Sequence, residues 1–141
     1  MLARNLASPQ PSVPADAPAR DAAAILVRPE IAAVLVVDGT RLVGAISDED
    51  VLRHLLPDYL RESDALVRSL DEAAVQKLWR HLDELRSSDI ARKVVTVDAD
   101  ATLIEVAAAM VRHRARVVGV ADGELIGGIT IDDLLSHLRL G

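Results

Sequence analysis

Two segments of this sequence place side chains at a spacing that can do chemistry: Gly44-Ala-Ile-Ser47-Asp-Glu-Asp50 and Gly127-Gly-Ile-Thr130-Ile-Asp-Asp133. In each, a hydroxyl precedes a carboxylate by three residues, just after an apolar run. That spacing makes a capping box, in which the hydroxyl accepts from the N–H three residues on and the carboxylate reaches back. It stabilises a helix start by about 1 kcal/mol. The same pattern stands at Ser69–Glu72 and Thr102–Glu105 with Glu in fourth place, which capping alone favours. Asp at the fourth position of the other two points beyond capping to a binding role. A hydroxyl beside the free N–H groups of a helix start favours an anion, and a carboxylate can accept two hydroxyl donors at once.

Other chemistries find less support. His54 and His137 fall in the last turns of expected helices, where a partly positive ring complements the helix dipole. His81 and His113 each stand beside an Arg with no carboxylate at ligand spacing, so no metal site is expected. The chain has no cysteine, which removes disulfides, thiolate metal sites and cysteine nucleophiles. Neither a Gly-rich phosphate loop, a nucleophile elbow nor a zinc-protease motif is present. The sequence predicts no enzyme.

The elements that must position these residues come from 141 amino acids, half of them apolar, with Tyr59 and Trp79 the only aromatics. Two scattered rings do not make a stacking platform for single strands. A net charge of −6 opposes phosphate-backbone affinity. No apolar run approaches the roughly 20 residues of a membrane span, and no apolar stretch follows Arg4 as a secretory signal would require. A cytoplasmic protein with neither nucleic acid nor membrane as partner is expected.

The sequence repeats itself. Set at an offset of 84, Val13-x-Ala15-Asp16-Ala17 falls on Val97-x-Ala99-Asp100-Ala101, and Val34-x-Val36-x-Asp38-Gly39 on Val118-x-Val120-x-Asp122-Gly123. One residue is lost after the Gly, and Leu42-x-Gly44-x-Ile46 and Asp50-x-Leu52-x-His54-Leu55 then meet Leu125-x-Gly127-x-Ile129 and Asp133-x-Leu135-x-His137-Leu138. Each copy reads as β-α-β-β-α. A short extended piece precedes a helix (about 18–28 and 103–114), then an apolar strand (33–37 and 117–121). An Asp-Gly hairpin, a return strand (42–46 and 125–129) and a final helix (48–56 and 132–140) follow. Between the copies, Ser69 is expected to cap a helix with Leu70, Ala74, Leu78, Leu82 and Leu85 on one face. Trp79, off that stripe, is expected to pack the insertion onto the units, with a partner contact as the alternative. The prolines at 9, 11, 14 and 18 are read as stiffening an ordered lead-in to the first copy.

This pattern resembles a tandem pair of cystathionine-β-synthase (CBS) domains, called a Bateman module, over all but residues 57–86 and a few terminal positions. The resemblance implies an α+β fold of two β-α-β-β-α units related by pseudo-twofold symmetry: unit 1 over 1–56, a helical insertion over 57–86 and unit 2 over 87–141. It implies clefts that bind an adenosine-containing regulatory ligand (AMP, ADP, ATP, S-adenosylmethionine or NAD), with no required cofactor. Asp50 and Asp133 would hold ribose hydroxyls, Ser47 and Thr130 would lie near phosphate, and Gly44 and Gly127 would let the backbone approach the ligand. Adenine would lie near Val13, Ile31, Thr96, Val97 and Ala115, held without ring stacking. The sequence departs from the family at Leu35 and Gly119, where proline is frequent. It also departs at Ala32 and Ala33, where a basic residue often meets phosphate; Arg116 stands there in the second copy. Asp133, Thr130 and Arg116 are therefore the favoured set. The expected function is a stand-alone regulatory protein, a homodimer through its helices with an unidentified protein partner. The competing expectation is a structural dimerisation module that binds no ligand, and a DNA-binding role is disfavoured by charge.

Overall fold

Both Asp-Gly pairs turn as hairpins, Gly39 at φ +64° and Gly123 at +76°, the left-handed region that glycine enters without a Cβ penalty. The computed structural model describes residues 1–56 and 62–140, so Tyr59 lies outside the described residues. In chain order these form α1 (Ala3–Leu6), β1 (Ser12–Pro14), α2 (Ala19–Leu26), β2 (Ala33–Asp38), β3 (Arg41–Ser47) and α3 (Asp48–Leu55). Then come α4 (Asp64–Arg68), α5 (Glu72–Glu84), α6 (Ser87–Ile90), β4 (Thr96–Asp98), α7 (Leu103–His113), β5 (Val117–Asp122), β6 (Glu124–Thr130) and α8 (Ile131–Leu140). The fold is α+β, with two three-stranded sheets ordered β1-β2-β3 and β4-β5-β6.

The sheets repeat each other in register. Val13 lies opposite Val36 and Val97 opposite Val120 in the parallel pairs; Val36 faces Gly44 and Val120 faces Gly127 in the antiparallel ones. An irregularity follows Val36 in one and Val120 in the other. β2 and β5 are central, hence their nearly continuous apolar runs. Each sheet packs one face on its helices, Val34, Val36 and Ile46 in one core and Val118, Val120 and Ile129 in the other. Ala33, Leu35 and Val117 form a third cluster with Leu42 and Leu125, where the two sheets meet. Leu35 and Gly119 belong to this contact: a Cβ on Gly119 would lie 2.6 Å from the Leu42 methyl, so the glycine makes room for the other sheet.

Two short helices that the sequence pattern does not announce join the units reciprocally. The N-terminal segment closes the second unit: Ala3 and Arg4 donate to the Ala101 and Ala99 carbonyls at 2.8 and 2.9 Å, and Ser8 bridges Gly128. The α6 segment closes the first unit in the same manner. Ser87 and Ser88 donate to Ala17 and Ala15 at 2.7 and 3.0 Å, and Arg92 bridges Ala45. Ala3 is fully buried in the second core, Ile90 in the first. Each opening segment is thus a strap across the other copy.

The inserted helix α5 packs on α2 and α3, with Leu82 fully buried in the first core and Leu85, at its C-cap, packed against it; Leu70, expected on the same stripe, precedes the helix. Its cap differs from expectation. Asp71, not Ser69, accepts from the Ala74 N–H at 2.9 Å; Ser69 ends α4 and donates to the Leu66 carbonyl. The carboxylate one residue before the helix complements the dipole better than a hydroxyl already committed to the preceding turn. Trp79 is 48% exposed, so the expectation that it packs into the core is corrected: lying off the buried stripe, it faces outward.

Candidate functional site

The first helix start is a complete capping box. Ser47 Oγ accepts from the Asp50 N–H at 3.2 Å, and Asp50 Oδ2 accepts from the Ser47 N–H at 2.9 Å and from its hydroxyl at 3.0 Å. These bonds occupy one carboxylate oxygen. Asp50 is only 2% exposed, yet its Oδ1 has no hydrogen-bond partner among the described residues. A buried acceptor left unmatched costs about 1–3 kcal/mol, so its persistence marks a place where a donor can be received. The group nearest in charge is Arg92, whose Nε lies 3.6 Å from Oδ1 while its side chain stays 62% exposed.

Arg92 reaches Asp50 because its backbone is fixed to β3. Its N–H and carbonyl each pair with Ala45 at 2.9 Å, and its carbonyl would lie 2.6 Å from a Cβ on Gly44. The expectation that Gly44 admits a ligand is thereby corrected, because the chain's own strap fills that space. Gly127 shows the same relation to Ser8, whose carbonyl would lie 2.9 Å from its Cβ. The first unit, with Ala32 and Ala33 at its strand start, receives a cation from the other copy's strap.

The second helix start differs in detail. Asp133 Oδ2 accepts from the Thr130 N–H at 3.1 Å, and Thr130 Oγ1 accepts from the Asp133 N–H at 3.0 Å. Ser8 holds the position equivalent to Arg92, and Gln10 covers Gly128, donating to the Gly128 carbonyl at 3.3 Å and to Ser8 Oγ at 3.1 Å. Arg116 is exposed and immediately precedes Val117, the strand partner of Thr130; its carbonyl accepts from the Ile131 N–H at 3.0 Å. Asp133, Thr130 and Arg116 are therefore neighbours at one helix start, as Ser47 and Asp50 are at the other.

The remaining expected residues scatter. Val13 is buried in the first core, and Ile31 packs against it partly buried. Val97 packs against the second core on β4, beside the exposed Thr96. Ala115 also packs there and lines an open apolar groove of about 390 Å³ between α7 and α8, with Val111, Leu135 and Leu138. The repeat alignment did not reveal Arg92 as a member of the first cleft. It equates Arg92 with Ser8, but it cannot show that each strap crosses to the other sheet.

The comparisons agree with this architecture. A family model described as "CBS domain" matches residues 3–57 and 87–140, one match per copy. The chain belongs to the CBS domain family. A CBS domain-containing protein of unknown function from Kribbella flavida superposes with a TM-score of 0.84 at 28% identity, covering 99% of both chains. The CBS domain of a CBS domain-containing membrane protein from Sphaerobacter thermophilus gives 0.74 at 29% identity, covering 96% of this chain and 86% of that one. A CBS domain protein from Pyrobaculum aerophilum complexed with AMP gives 0.68 at 25% identity, covering both chains fully. No curated protein matches. Among the described residues, no helix is long and apolar enough to cross a membrane.

Proposed function

We propose that this protein is a regulatory CBS pair that binds an adenosine-containing ligand at its two Ser/Thr-x-x-Asp helix starts and transmits occupancy to a protein partner without catalysing a reaction. The observation that carries this reading is the Asp50 carboxylate, buried with one oxygen unmatched, a natural acceptor for ribose hydroxyls. The AMP complex of the Pyrobaculum relative supports a nucleotide as the ligand class. At the second helix start, Thr130 and the helix N–H groups would meet a phosphate and Arg116 would add charge. AMP, ADP, ATP, NAD and S-adenosylmethionine all carry the required adenosine.

A cytoplasmic homodimer is part of the proposal. Val111 and Leu135 are exposed on α7 and α8, and their repeat counterparts are exposed too, Val27 at the end of α2 and Leu52 on α3, so both copies present apolar helix surface. A structural dimerisation module without ligand is the second reading, favoured by Arg92 already standing against Asp50. Thermal unfolding with the five ligands separates them. A ligand at 100 times its dissociation constant stabilises by about 2.7 kcal/mol, an easily visible rise in melting temperature. An unchanged melting temperature with all five leaves only the structural module.

A further inference from the structure

The two helix starts are not equivalent, and the difference lies in the straps. Arg92 and Ser8 occupy matching places, each backbone-paired to the strand before its helix start, at Ala45 and at Gly128. Only Arg92 brings a charge, and it brings it to the carboxylate whose Oδ1 is buried and unmatched. At 3.6 Å the contact attracts without forming a hydrogen bond, and a largely exposed guanidinium gives up such a contact at little cost. Its backbone stays fixed while its long side chain can turn, so the cation remains within reach of whatever binds Asp50.

From this geometry we infer that Arg92 is the specificity residue of the Asp50 cleft, holding the carboxylate until a ligand's hydroxyls replace it and then pairing with that ligand's phosphate. The inference rests on the adenosine-binding reading and goes further, assigning the first cleft to phosphorylated ligands through a residue of the second copy. A ligand with both a diol and an anion satisfies Asp50 and Arg92 together. An uncharged nucleoside satisfies Asp50 and returns Arg92 to water. The Asp133 cleft has the uncharged Ser8 in that place, so any cation there comes from its own strand start, at Arg116, and not from a strap.

The test uses the whole 141-residue chain carrying Asp133→Ala, in which the second cleft is disabled, titrated calorimetrically with AMP and with adenosine. The expected result is AMP binding at least about tenfold tighter than adenosine, the usual scale of one charge-assisted contact. Arg92→Gln should bring the two affinities within about twofold by weakening AMP alone, and Arg92→Lys should retain most of the preference. An AMP-to-adenosine ratio unchanged by Arg92→Gln overturns the inference and leaves nucleotide binding standing. Loss of all binding in Asp133→Ala, when the unmodified chain binds, also overturns it. Failure of the unmodified chain to bind either compound overturns the adenosine-binding reading itself. Arg92 is exposed, and melting curves of both Arg92 variants establish that they remain folded.

Discussion

Ser87 directs both its backbone N–H, at 2.7 Å, and its hydroxyl, at 3.0 Å, onto the carbonyl of Ala17, seventy residues earlier in the chain. The side chain is fully buried, so these two hydrogen bonds fasten one strap to the other copy away from water. Ser87→Ala removes the hydroxyl and leaves the Ala17 carbonyl still satisfied by the N–H. The expected loss is about 1 kcal/mol, the net value of one hydrogen bond. In a chain of this size it should appear as a melting temperature about 3–4 °C lower. A variant that melts unchanged would show the strap to be held by its backbone alone.

Gly44 meets the Arg92 carbonyl at a distance no side chain tolerates. Gly44→Ala should push the strap from β3 and destabilise by about 1–3 kcal/mol, the range of overpacking changes. Gly39→Ala is a useful contrast, because space is open there and only the left-handed backbone conformation is penalised, at roughly 1–2 kcal/mol. Denaturant unfolding measures both. Amide exchange at Ala45 should quicken selectively in Gly44→Ala, since its N–H bonds the Arg92 carbonyl.

Arg114 closes α7 with φ +50° and ψ +42°, a conformation that glycine adopts far more readily. Arg114→Gly should therefore raise stability by about 0.5–1 kcal/mol after allowance for the freer unfolded chain. Calorimetric unfolding checks this. A lower melting temperature would mean that the Arg114 side chain, which lines the α7–α8 groove, matters more to packing than its backbone strain.

Leu135 is exposed on α8 within that groove. If the helix faces pair two copies, Leu135→Arg should convert the dimer to a folded monomer in sedimentation velocity while leaving the far-ultraviolet spectrum intact. A dimer that survives both this change and Val111→Arg would place the interface elsewhere.

Much of the architecture was legible in the sequence because each copy repeats strong local signals. The Asp-Gly turns and the apolar central strands form where their pattern predicts them, and the inserted helix forms with Leu82 buried although it starts later than the pattern predicts. The Ser47 and Thr130 capping boxes form as well. The straps were not legible. Four residues of α1 or α6 are too few for a helical period, and their hydrogen-bond partners lie far along the chain, Ala101 for Ala3 and Ala17 for Ser87. For the same reason Gly44 and Gly127 read as ligand approaches, although each receives a strap. At the candidate site, the contacts within three residues were visible in the sequence, and the Asp50–Arg92 contact across the repeat was not.

The crossing of the straps has a consequence for how such a chain can be divided. A single copy excised from it would keep a strap with nothing to cover and a strand edge, at Ala45 or Gly128, with nothing to cover it. Two such fragments could complete each other only by trading segments, as swapped dimers do. The smallest self-sufficient object here is the interlocked pair, and the duplication joins in one polypeptide what separate fragments would otherwise have to find by collision.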